Sequence, residues 1–115
     1  MKTNIKYMNG VEWVELPYSD ETLINELQKK VDAVGANTIS MWFCETANNI
    51  GTIYVSIQNR QAENDITKIA THDTMYLHDI YLDKENWKDN LKEYQREKRV
   101  IKNYFPLIKV TSNFR

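Results

Sequence analysis

Two histidines, His72 and His78, each precede an aspartate, Asp73 and Asp79, in the stretch THDTMYLHDIYL. An imidazole beside a carboxylate can hold a metal ion that activates water, or pass a proton to a substrate. Spacing decides whether the two doublets can act together. The stretch is rich in β-branched and aromatic residues and has neither Gly nor Pro, which predicts a strand. On a strand the two histidines share a side but stand about 20 Å apart. Metal–ligand bonds are only about 2 Å long, so one ion cannot take both rings. Only a turn within Thr71–Thr74 would bring them together. The chain has 2 His, so no third imidazole completes a site. The doublets read as surface pairs or turn-capping aspartates. A metal-dependent hydrolase using them is the third-ranked function, and neither a metal nor a cofactor is expected.

The other reactive candidates are weaker. Cys44, the single cysteine, could be a nucleophile beside a histidine. Yet it lies within an alternating run, between Phe43 and Glu45, where a cysteine is most often a small core residue. The 3 glycines are scattered at positions 10, 35 and 51, which excludes Gly-rich phosphate loops. No catalytic constellation emerges, and no enzymatic activity is expected.

Charge and aromatic content point to recognition. Before residue 84 the chain carries 6 Lys/Arg against 12 Asp/Glu, and from there on 9 against 4. The basic residues fall in DKENWKDNLKEYQREKRVIKNYFP, where acids interleave and form i,i+3 pairs such as Glu85–Lys88. Only Arg96–Lys102 is locally unopposed. Arg96, Lys98, Arg99 and Lys102, with Tyr94 and Tyr104 beside them for stacking, could meet phosphates. The bland alternative is a solvated helix face.

The 3 Trp and 7 Tyr are the remaining signal. Trp42 and Tyr54 fall on the polar-alternating side of two strand-like runs, together with Ser40, Cys44, Thr52 and Ser56. If helices cover the Ile/Met/Phe side, this side looks outward. Exposed Trp and Tyr bury much area at little entropic cost, the usual mark of a protein interface. The competing reading is that a second layer, or a second copy in a homodimer, covers them.

These residues need elements to hold them. Asn4–Met8 and Val11–Leu16 alternate around Asn9-Gly10, which predicts a hairpin with a two-residue type I′ turn. Ser19 precedes Asp20 and Glu21, then Leu23, Ile24, Leu27, Val31 and Val34 recur at helical spacing before Gly35. This predicts a capped amphipathic helix over 20–34. TISMWFCE and TIYVSIQN, around an Asn/Gly loop, predict a second hairpin. RQAEND (Arg60–Asp65) reads as an exposed loop, and 66–82 as one strand or two. In that strand Met75, Leu77, Asp79 and Tyr81 share one side. Asp83 caps a long helix over 84–105, with Trp87, Leu91, Tyr94, Ile101 and Phe105 on one stripe that Lys98 interrupts. At about 33 Å it matches the width of the whole domain and would overhang it in part. Pro106 ends it, and Leu107–Thr111 reads as a last strand.

The order ββ-α-ββ-β(β)-α-β predicts an α+β fold: residues 1–115 as a single domain, mainly an antiparallel sheet with two helices packed on one face. With 42% hydrophobic and 27% charged residues the composition is that of an ordinary globular protein. No apolar run is long enough for a membrane span, and the N-terminus lacks a signal-peptide pattern. One cysteine fits a reducing cytoplasm. The Lys/Asn/Ile-rich style resembles low-GC bacteria and their phages or mobile elements. The expected function is therefore a non-enzymatic protein-binding module. It would be an inhibitor or adaptor of the phage or mobile-element type, anti-CRISPR-like or otherwise anti-defence, acting on a host protein complex. Binding would use Trp42 and Tyr54 together with the basic helix segment. The alternative is a small nucleic-acid-binding regulator working through that segment.

Overall fold

Ser19 starts α1 (Asp20–Val34), its Oγ accepting a hydrogen bond from the Thr22 backbone N–H at 3.0 Å. Gly35 ends the helix at φ 67°, where only glycine is free of strain, and its N–H donates to the Val31 carbonyl. Helix bounds and both caps are as the sequence predicts. The computed structural model describes residues 4–8, 12–47, 50–60, 69–81, 85 and 87–113. The strands are β1 (Asn4–Met8), β2 (Trp13–Pro17), β3 (Thr38–Ala47), β4 (Ile50–Arg60), β5 (Ile69–Tyr81) and β6 (Lys109–Ser112). The second helix is α2 (Trp87–Tyr104). The fold is α+β, with one six-stranded, mostly antiparallel sheet in the order β2-β1-β5-β4-β3-β6.

Alternation sorts the strands into two faces. Ile5, Ile39, Met41, Ile53, Val55, Ile57, Met75 and Leu77 are buried with Leu23, Leu27 and Val31 of α1 and Tyr94 and Ile101 of α2 in one apolar cluster. Both helices therefore lie on the same side of the sheet. Gly51 is needed at the edge of this layer. A Cβ there would stand 1.8 Å from the Phe43 ring, which lies across the glycine backbone.

Several expectations shift. The register pairs Met8 with Trp13, leaving residues 9–12 between them; a two-residue turn would oppose Met8 to Val11. The Asn9-Gly10 turn itself, the 61–65 loop and the Asp83 cap lie outside the described residues. β5 is one strand of 13 residues, not two. It carries a bulge: Tyr54 pairs with Tyr76 but Ile53 pairs with His78, so Leu77 is the extra residue and the alternation resets beyond it. Met75 and Leu77 are both buried, and the register expected to run unbroken through Asp79 shifts by one residue at the bulge. α2 is one helix from Trp87, and its inner stripe is Tyr94, Glu97 and Ile101. Glu97, not Lys98, fills the gap between the apolar positions, fully buried and accepting a hydrogen bond from the Tyr18 hydroxyl. The last strand begins at Lys109, with Leu107 almost fully exposed, and runs parallel to β3.

Two asparagines extend the ladders on either side of β3, Asn37 just before it against β4 and Asn113 just after β6. The Asn37 side chain accepts from the Arg60 N–H at 3.0 Å and donates to its carbonyl at 2.9 Å. At the other side the Asn113 carboxamide accepts from the Phe43 N–H at 2.7 Å and donates to its carbonyl at 3.2 Å. Each amide stands in for a missing strand residue, and the second one holds the backbone next to Trp42.

Candidate functional site: the open face of the sheet

The helices leave one face of the sheet without a covering element among the described residues. Register sets what it displays. Trp42 stands opposite Tyr54, Tyr54 opposite Tyr76, Tyr76 opposite Lys6, and Lys6 opposite Glu15. This row crosses five strands. Trp42 is 43% exposed, Tyr54 and Tyr76 are half-buried, and Trp13 on β2 is 68% exposed. The Tyr54 and Tyr76 rings meet edge to face, with centroids 5.9 Å apart and planes at 71°. Lys6 Nζ lies 5.7 Å from the Tyr76 centroid and 3.3 Å from Glu15. Beside the aromatics runs a row of hydroxyls, Thr111, Ser40, Ser56 and Thr74, in which Ser40 and Thr111 share a hydrogen bond of 2.8 Å.

Four hollows indent this face. One of about 300 Å³ lies beside Lys6, Trp13 and Glu15, and one of about 270 Å³ between Trp13 and Tyr54. A third, of about 350 Å³, lies between Tyr54 and Trp42, and a fourth, of about 400 Å³, between Trp42, Arg60 and Thr111. Each shares border residues with the next. Gln58 borders the third and fourth; it is 3% exposed, its Nε2 donates to Ser56 Oγ at 2.9 Å, and its Oε1 has no hydrogen-bond partner among the described residues. Cys44 also lies here, exposed, rather than in the core. Its place follows from register: it is opposite Thr52 and two residues from Trp42, and so belongs to the outward set.

The basic helix segment lies elsewhere. α2 packs on the opposite side of the sheet, so the exposed Arg99 and Lys102 do not border the hollows beside Trp42 and Tyr54, and Lys98 reaches the sheet edge at Ser112. Tyr94 is fully buried, its hydroxyl donating to the Met41 carbonyl at 3.3 Å, and offers no ring for stacking. Arg96 is opposed after all. Its guanidinium donates to Asp20 at 2.7 and 3.0 Å and to Glu93 at 2.6 Å, joining α2 to the start of α1. The hydrogen bonds it donates to Glu93 first, then to Asp20, push its pKa further above the ordinary arginine value. Lys98 donates to Ser112 Oγ at 3.1 Å. Arg99 and Lys102 are exposed.

The His-Asp doublets do not converge. Asp73 lies on the helix side, where Lys30 of α1 pairs with it at 2.5 Å, while His72 stands opposite Gln58 and is exposed. His78 pairs with Ile53, five residues from Gln58 along β4 instead of six, because of the bulge. The bulge thus breaks the uninterrupted backbone register expected between the two histidines; the His78 side chain lies outside the described residues. No group of three or more His, Cys, Asp or Glu among the described residues could hold a metal ion. Trp13, Tyr76 and Gln58 belong to the open face but were not singled out from the sequence. Trp13 and Tyr76 are aromatics in strand-forming runs, as Tyr54 is, but Val11 alternates in phase with Trp13, and Ile80 and Leu82 with Tyr76, so periodicity did not mark their side as polar, and Gln58 carries no signal.

No family of known proteins, no curated protein and no solved structure matches this chain.

Proposed function

We propose that this protein is a small, non-enzymatic protein-interaction module that binds its partner with the open face of the sheet. One observation carries the reading: Trp42, Tyr54 and Tyr76 are set side by side on three central strands, partly in solvent, over a rigid layer backed by two helices. Rigid Trp and Tyr side chains lose little entropy on burial, and such residues dominate the energetics of interfaces. A surface of this kind works by occupying a partner's surface. This agrees with an inhibitor or adaptor acting on a host protein complex, of the anti-defence kind the composition suggests, and with a cytoplasmic setting. No described helix is long and apolar enough to cross a membrane.

A photo-crosslinking amino acid placed at position 42, and separately at position 99, tests this in host lysate with and without nuclease. The reading expects a protein adduct from position 42 that survives nuclease, and none from position 99. Adducts from position 99 alone, abolished by nuclease, would transfer the function to Arg99 and Lys102 and to nucleic acid.

A further inference from the structure

Charge is sorted around α2 as well as along it. Asp89, Glu93 and Glu97 recur every four residues, which lines them up on one flank of the helix. That flank meets α1: Arg96 ties Glu93 to Asp20, and Glu97 is buried against Tyr18. The opposite flank is basic. At about 100° per residue, Lys88, Lys92, Lys98, Arg99 and Lys102 share a sector about 120° wide that contains no acid of the helix. Lys98 shows where this sector turns, because it reaches Ser112 on the edge strand β6.

Glu85 precedes Lys88 by three residues, so the acid-free part of the sector runs from Lys92 to Lys102. Lys92, Arg99 and Lys102 are exposed and make no ion pair among the described residues. The chain that follows cannot balance them, since residues 98–115 hold 5 Lys/Arg and no Asp/Glu. A helix face that needs only solubility mixes its signs in i,i+4 pairs. Here the acids are spent on the α1 seam, which leaves a one-signed surface that attracts anions.

Composition narrows the occupant. Protein interfaces are depleted in Lys and rest on apolar or aromatic anchors, and the exposed members of this sector include none. A membrane surface takes an apolar helix face, but Tyr94, Ile101 and Phe105 are buried in the core. Single-stranded nucleic acid needs open rings for its bases. Tyr94 is buried, and Lys88 Nζ lies 5.6 Å from the Trp87 centroid. What remains is a rigid row of point charges. From Lys92 to Lys102 it runs about 15 Å, the length over which one strand of a duplex presents about four phosphates.

We infer that the basic flank of α2 binds the phosphate backbone of a nucleic-acid duplex through Lys92, Arg99 and Lys102, without reading base sequence. This is a second surface, on the other side of the sheet from Trp42, and does not rest on the interaction reading above.

The test titrates the full-length protein against a fluorescein-labelled, mixed-sequence DNA duplex of about 20 base pairs, followed by fluorescence polarisation. An RNA duplex and the separated DNA strand are run beside it. Both duplexes should bind, and the single strand more weakly. The log–log plot of DNA affinity against salt should have a slope of about −3, one phosphate for each exposed cation. Arg99→Ala and Lys102→Ala should each flatten that slope by about one. The double change Arg99→Glu with Lys102→Glu should weaken binding at least tenfold or so while the circular dichroism spectrum is unchanged. Trp42→Ala should bind the duplex as the parent does. A slope flatter than about −1, tighter binding of the single strand, or indifference to the double charge reversal would each overturn the inference. So would binding of phosphatidylserine vesicles or of a polyglutamate peptide in place of the duplex. Such a failure leaves the aromatic-face reading standing, because crosslinking from position 42 tests that separately.

Discussion

Asn113 holds Phe43 by both edges of its carboxamide, accepting from the Phe43 N–H at 2.7 Å and donating to the Phe43 carbonyl at 3.2 Å. The residue before Phe43 is Trp42, so a side chain beyond the last strand fixes the backbone that presents the exposed indole. Asn113→Ala should cost about 1–2 kcal/mol, the usual worth of two such bonds. Amide exchange at Phe43 should accelerate, while exchange at Leu27 in α1 should follow only the global change. Unchanged exchange at Phe43 would show that the ladder ends before Asn113.

Gly51→Ala should destabilise the protein by about 1–3 kcal/mol, the range for overpacking. The added methyl would meet the Phe43 ring at 1.8 Å, so ring or backbone must move. Phe43→Leu in the same chain should recover part of the loss, and a double-mutant cycle by urea denaturation measures the coupling.

Tyr18→Phe should cost about 1–3 kcal/mol, because it takes a hydroxyl donor from the buried Glu97 carboxylate. Tyr18→Phe combined with Glu97→Gln should lose less than the two single changes together. The measurement is again urea denaturation, and strict additivity would deny the contact.

Arg96 and Asp20 join the two helices at the surface, where both side chains are partly in solvent. Their coupling in a double-mutant cycle should be about 0.2–1 kcal/mol and should fall with added salt. The pH dependence follows from the sign of the shift. Arg96 has its pKa raised on folding, so its stabilisation is present below the unfolded value and is lost only as pH rises through the folded one. Both lie above ordinary buffers, so coupling should stay flat between about pH 7 and 10.

Local chemistry made α1 legible. Ser19, the acidic first turn, the apolar spacing and Gly35 act within a few residues of one another, and each works without knowledge of the rest of the chain. Alternation likewise told which sides of β3 and β4 turn inward, and so placed Trp42 and Tyr54 outward once helices were assigned to the Ile/Met/Phe side. What distant segments do to one another was not legible. The parallel pairing of β6 with β3 depends on where α2 returns the chain, and the Leu77 bulge on which residues β4 offers opposite. Glu97 in the core of α2 needed Tyr18, seventy-nine residues away, to be tolerable there.

The sequence by itself determined the helix and strand types, the α+β order and the outward aromatics, because these follow from periodicities of 3.6 and 2 and from caps made by neighbours. Only the tertiary structure decided that the basic stretch of α2 and the aromatic face lie on opposite sides of the sheet. Both helices must bury their apolar stripes against the same strand face. That places the exposed Arg99 and Lys102 of α2 on the helix side, away from the sheet face that displays Trp42.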